Sequence, residues 1–143
     1  MSNSEYLITR GDKTACLRAV ASVLVADERI SKEEMGFWNN VLAQLGLEND
    51  EAAKNILQQE MSNPSIMDET LRDVKPIFFR KNIFLMMVNA MISDNVIATS
   101  EISKLELAAK ALNLDSQSTI TIIDWAKRGV EWRLQGQKLL VDF

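Results

Sequence analysis

Residues 16–47 read CLRAVASVLVADERISKEEMGFWNNVLAQLGL, and this stretch decides the fold. Leu17, Val20, Ala21 and Leu24 fall at i, i+3, i+4 and i+7, the spacing of one apolar helical face. Cys16 and Val23 widen that stripe, so a well-buried helix is predicted from Lys13 to Ala26. Asp27-Glu28-Arg29-Ile30 breaks the pattern. Ser31-x-x-Glu34 then forms a capping box, in which a hydroxyl and a carboxylate satisfy two backbone donors at a helix start. Met35, Trp38, Leu42 and Leu45 give the second helix its apolar face, and Gly46 stands where a helix-ending glycine belongs. A turn this short makes the two helices antiparallel.

The same pattern returns after a shift of 67 residues, the distance from Asp27 to Asp94. Leu17, Val20, Ala21 and Leu24 land on Phe84, Met87, Val88 and Met91. Met35, Trp38, Leu42 and Leu45 land on Ile102, Leu105, Ala109 and Leu112. Asp27, Ile30 and Glu34 land on the identical residues Asp94, Ile97 and Glu101. Overall identity between the copies is low; the match lies in the apolar pattern and the loop, where packing and turn geometry constrain a helical hairpin. The chain reads as an internal duplication of a helix–turn–helix unit, with repeats at about 13–47 and 80–114. The predicted fold is an all-α, single helical-bundle domain over residues 1–143, with about seven helices.

The connecting segments fill in the rest. Residues 1–12 read as a lead-in. Asn49 or Asp50 caps a third helix running to about Met61, Asn63-Pro64 marks a turn, and a short helix follows from Ile66 to Val74. Pro76 suits the first turn of the next helix, predicted to reach Ser93, because its missing donor costs nothing there. A further helix covers Ser100 to Leu112. Asp115 or Ser116 caps the last helix, about 116–140, which Gly129 and Gly136 are expected to kink or split.

Composition narrows the class. The chain has 143 residues, enough for one sizeable core, with 47% hydrophobic and 25% charged side chains. Five glycines and two prolines argue against disorder and loop-rich β folds. Net charge is −4, but residues 1–71 carry 6 basic and 12 acidic side chains, whereas residues 72–143 carry 10 and 8. An acidic first half without clustered Lys and Arg argues against a nucleic-acid partner. The opening residues lack an apolar signal segment, and the longest apolar run, Ile83 to Ile92, is broken by Asn89 and falls short of the roughly 20 residues a membrane span needs. The expected location is therefore cytoplasmic, and the lone Cys16, in an apolar helix, is expected to be a buried structural thiol.

Each hairpin loop reads Asp-x-x-Ile-x-x-x-Glu. The spacing imitates the second half of an EF-hand loop, but positions one and three of such a loop would be Val23 and Val25, or Ala90 and Ile92, none of which offers a side-chain oxygen. The EF-hand is excluded. Two readings of the four carboxylates Asp27, Glu34, Asp94 and Glu101 stand. In the first they serve the turns: Glu34 completes the capping box, Asp27 and Asp94 accept from turn amides, and Ile30 and Ile97 plug the hairpins. In the second they hold a divalent cation. Asp27 and Asp94 sit at helix C-termini, where the macrodipole disfavours an anion, so turn amides or a cation must offset it. Glu28 and Glu33 crowd the first loop, and oxygen-only clusters suit hard cations such as Ca²⁺, Mg²⁺ or Mn²⁺.

Ala26, Asp27, Ile30, Glu34 and Leu45-Gly46-Leu47 resemble the TerB-like family, associated with bacterial tellurite resistance. The pattern there is Ala-Asp-Gly-x-Ile, a Glu four residues after the Ile, then Leu-Gly-Leu. Asp94, Ile97, Glu101 and Leu112-Asn113-Leu114 repeat it, and the resemblance covers roughly residues 13–128. It implies an all-helical domain with pseudo-twofold symmetry and acidic loop residues that bind divalent metal. It also implies a role in stress-response or membrane-associated protein complexes, with protein partners, rather than catalysis. Glu28 and Asn95 depart from the pattern by standing where its glycine belongs, and Ala98 lacks the capping hydroxyl of Ser31.

Other chemistry lacks its residues. Without histidine there is no Ser-His or Cys-His machinery and no common zinc site, and the scattered glycines form no phosphate loop. Paired carboxylates serve glycosidases, but no aromatic platform accompanies these. The chain is expected not to be an enzyme. The seven methionines read as core filling rather than a partner groove. Trp125 and Trp132, seven apart on one face of a helix that also carries Lys127, Arg128, Arg133 and Lys138, are expected to pack on the domain. The alternatives for that face are a homodimer or partner surface and an interfacial membrane helix as part of a peripheral membrane complex.

Overall fold

The computed structural model describes residues 7–26 and 29–142. They are all-helical, with no strand among them: α1 (Arg10–Leu24), α2 (Lys32–Gln44), α3 (Glu51–Lys54), α4 (Ile56–Ser62), α5 (Met67–Leu71), α6 (Ile77–Met91), α7 (Thr99–Ala111) and α8 (Ser116–Asp142). The third predicted helix is divided at Asn55 into α3 and α4, yet Asn55 N–H still donates to Glu51 O and Gln59 N–H to Asn55 O, so the two read as one interrupted helix.

α1 lies at the centre. Its neighbours are α2, α4, α5, α6 and α7, so nearly its whole circumference is buried, from Ala15 through Leu24 with only Arg18 reaching solvent. That explains why its apolar stripe is wider than one face. Trp38 and Leu42 of α2, Ile83 and Met87 of α6, and Leu105 of α7 complete the core around it. Cys16 is fully buried with Sγ 3.5 Å from Met86 Sδ, and burial pushes its thiol up to about 12. Met67, Met87 and Met91 fill the core as expected, whereas Met35, expected on the buried face of α2, is exposed: α2 turns a narrower stripe inward than its sequence pattern allows for.

The helix ends follow local chemistry. α1 starts earlier than predicted because Thr9-x-x-Asp12 is itself a capping box: Thr9 Oγ1 accepts from Asp12 N–H at 3.0 Å, and Asp12 Oδ2 accepts from Thr9 N–H at 3.0 Å. Asp50 caps α3 and Asp115 caps α8, each held below the ordinary carboxylate range first by a backbone N–H, that of Ala53 or Ser118. Gly46 (φ +71°) ends α2, with Gly46 N–H donating to Ala43 O and Leu47 N–H to Leu42 O. Asn113 (φ 56°) ends α7 the same way, through Lys110 O and Ala109 O. These are Schellman closures, and asparagine is the residue that best replaces glycine in the left-handed position. The sites are 67 residues apart, the offset that aligns the two hairpins.

At the starts of α2 and α7 the hairpins differ. Ser31 Oγ accepts from Glu34 N–H at 3.1 Å, whereas Ala98 has no acceptor and Glu101 N–H turns to Ala98 O at 3.1 Å. Ser31→Ala is expected to cost about 1 kcal/mol, the usual worth of an N-cap. Ala98 already has extended cap geometry, φ −93° and ψ 147°, so Ala98→Ser should stabilise the protein by about 0.5–1 kcal/mol. Urea denaturation of both variants checks the pair, and a destabilising Ala98→Ser would mean that this cap is not free to accept a hydroxyl.

α8 departs most from expectation. Gly129 and Gly136 do not split it: it runs unbroken for 27 residues. Its packed positions, Thr119, Ile123, Ala126 and Val130, end at Val130, and Trp125 and Trp132 are 64% and 76% exposed rather than packed on the domain. No helix among the described residues is long and apolar enough to cross a membrane.

Candidate functional site

The acidic residues of the two Asp-x-x-Ile-x-x-x-Glu segments border the helical hairpins, with Asp94 between α6 and α7 and Glu34 and Glu101 in the first turns of α2 and α7. Asp27 and its neighbour Glu28 lie outside the described residues. Glu34 stands in the first turn of α2 and is only 1% exposed; its Oε1 accepts from Ser31 N–H at 2.9 Å. Glu101 stands at the matching place in α7, 2% exposed, with Oε1 accepting from Ala98 N–H at 2.8 Å. A capping-box glutamate needs only to reach back along the helix surface. Here both carboxylates are taken almost wholly out of water, which is costly for a charge unless the surroundings compensate.

Asp94 is half-buried just beyond the C-terminus of α6. Its Oδ1 accepts from Val96 N–H at 3.0 Å, an Asx-turn. That bond is a turn amide of the kind needed to offset the macrodipole at this position. Asn95 adopts φ 62°, the left-handed conformation that glycine takes most readily and asparagine tolerates. Asparagine here keeps the backbone geometry a glycine would supply. Its Oδ1 is buried with no hydrogen-bond partner among the described residues. Ile30 and Ile97 are half-buried against the core, one behind each turn.

The chemistry of this set is oxygen alone: carboxylates, an amide oxygen and turn carbonyls, the donors of hard divalent cations. Among the described residues no three His, Cys, Asp or Glu side chains form a group placed to hold a metal ion, so Glu34, Asp94 and Glu101 are not brought into one cluster. The positions where an EF-hand would need ligands are instead helical or helix-capping: Val23 and Ala90 are fully buried, and Val25 and Ile92 are C-caps. Cys16, buried and with its thiol pushed up, is not a nucleophile at neutral pH.

The sequence pattern gave no notice of Glu60. This carboxylate, at the end of α4, has no solvent exposure; it accepts from Ser65 N–H at 2.9 Å and from the Ser65 hydroxyl, with Arg18 Nη1 3.8 Å away. It borders a cavity of about 320 Å³ beside the first acidic turn, whose wall also includes Ser22, Ala26 and Lys104. The available signal was Asn63-Pro64-Ser65: a break between two short helices leaves amides that need an acceptor. No family model, curated protein or solved structure matches this chain.

Proposed function

We propose that this chain is a TerB-like, non-enzymatic helical module that binds a divalent cation through its acidic hairpin turns. Asp27 and Glu34 would serve the first turn, Asp94 and Glu101 the second. The observation that carries the reading is in the second turn: the buried Asn95 Oδ1 lacks a hydrogen-bond partner among the described residues, directly beside Asp94 in the chain. Unmatched buried acceptors are uncommon, and a cation is one of the few species that satisfies an oxygen where no donor is in reach. An all-oxygen set favours Ca²⁺, Mg²⁺ or Mn²⁺ over softer metals. The setting that goes with it is a cytoplasmic stress or tellurite response in which the module works by binding protein partners.

The competing reading is a structural adaptor that recruits a partner through an apolar helix face, with the acidic turns only capping helices. The exposed tryptophans of α8 favour it. Thermal melts of chelator-treated protein, with and without each cation, separate the two. A ligand that binds only the folded state raises the midpoint, adding about 2.7 kcal/mol of stability at a hundredfold excess over its dissociation constant. We expect such a rise for at least one cation, lost in Asp94→Ala or Asp27→Ala. If no cation moves the midpoint and both variants are merely less stable, the turns are caps and the adaptor reading stands.

A further inference from the structure

The packed stripe of α8 is Thr119, Ile123, Ala126 and Val130. Away from it, Trp125, Trp132 and Leu139 recur every seven residues and are 64%, 76% and 70% exposed. Four residues after each tryptophan stands a glycine, Gly129 and Gly136. Steps of seven and four keep all five on one side of the helix. Glycine is among the poorest residues for a helix interior. Neither glycine has positive φ, and a Cβ added at either would meet nothing within 4 Å. The isolated chain therefore has no need of glycine at these places. A second helix approaching closely does.

We propose that this face docks a second copy of the chain, α8 against α8, antiparallel. The pattern is complementary to itself. When two α8 helices run antiparallel about a twofold axis between Val130 and Glu131, Trp125 falls opposite Gly136 and Trp132 opposite Gly129. The symmetry doubles both contacts, so four indoles each rest on a glycine, an isologous arrangement. Leu139 comes opposite Ile122 at each end. The area suffices: with about 150–250 Å² per aromatic side chain, the exposed parts of two indoles, Leu139 and Leu140 offer on the order of 500 Å² of apolar surface. A standard interface buries about 800 Å² per partner, the polar rim included. Beyond Val130 no side chain of α8 is buried, the described contact there being Arg133 Nη2 donating to Ile92 O at 3.4 Å, and helical segments this short are marginal in water without tertiary support. A membrane surface fits less well, because Asp124, Glu131 and Asp142 interrupt the basic residues that an interfacial helix requires.

The test is sedimentation equilibrium of the full chain and of Gly129→Leu/Gly136→Leu, with far-UV circular dichroism on both. The wild type is expected to dimerise with a micromolar dissociation constant. The double variant should weaken the dimer at least tenfold while keeping or increasing helix content, since leucine is the better helix former. That opposition in sign separates a docking face from a merely solvated one. A monomer at every accessible concentration overturns the proposal, as does a dimer that leucine leaves unchanged. A monomer that co-sediments with phosphatidylglycerol vesicles overturns it in favour of the membrane.

Discussion

Trp38→Ala is expected to lower stability by about 3–5 kcal/mol, the range for removing a large aromatic from a packed core. Trp38 is 2% exposed and stands in the core with Leu17, Leu24, Met87 and Leu105. Truncation there forfeits the burial of a large apolar surface and leaves a cavity that helices tied by short turns close only in part. Against a total of about 5–15 kcal/mol for a domain, the loss is a large fraction, and the melting midpoint should fall by about 10 °C or more. The matched control is Trp132→Ala. With Trp132 76% exposed, it should change the stability of the dilute monomer by no more than about 0.5 kcal/mol. The same chemical change at two positions thus separates the core from the outer face of α8. If Trp38→Ala costs less than about 1 kcal/mol, the α2 packing described above is wrong.

The residues that made the fold legible are those whose local physics and tertiary role agree. Leu17, Val20, Ala21 and Leu24 point to one face, and all four are buried. Ser31 and Glu34 cap α2 as their spacing requires, and Gly46 adopts the left-handed conformation its position demands. A cap uses neighbours only three residues apart, so sequence spacing nearly determines it. Thr9 and Asp12 obey the same rule, but aspartate in place of glutamate weakens the signature without changing its mechanism.

What stayed hidden depends on partners distant in the chain. Met35 fits the apolar period of α2, yet it is 39% exposed, because periodicity gives a direction and not the width of what lies there. Trp125 and Trp132 were expected on the domain for the same reason; their spacing is right for a packed face, and the domain ends before it covers them. The acidic turns show the limit most clearly. The sequence places Asp94 and Glu101 in a turn, but whether a carboxylate is drawn out of water depends on the helices behind it. Glu101, at 2% exposed, is an unusual ion for a surface turn; nothing in Asp-x-x-Ile-x-x-x-Glu distinguishes it from a solvated cap.

Glu60 is the clearest case of an interaction made across a break in the chain, and its loss should be the largest effect outside the apolar core. Glu60→Ala is expected to cost about 3 kcal/mol, because the buried carboxylate is the acceptor for both the N–H and the hydroxyl of Ser65. Two partners compete for the credit. Arg18 brings a full charge, but its nearest nitrogen is 3.8 Å away and its side chain is 36% exposed, so screening leaves the pair about 0–1 kcal/mol. Ser65 brings no charge, but its N–H bond is 2.9 Å long and lies at the start of the segment that leads into α5. Hydrogen bonds to an ionised acceptor contribute about 1.5–3 kcal/mol, more than the distant cation. Double-mutant cycles decide between them. The coupling of Glu60→Ala with Ser65→Ala should exceed its coupling with Arg18→Met, although Ser65→Ala removes only the hydroxyl and leaves the backbone donor in place. A larger coupling to Arg18 would make Glu60 half of an ion pair, and the α4–α5 connection would then owe its shape to the charge on α1 rather than to a carboxylate that completes its hydrogen bonds.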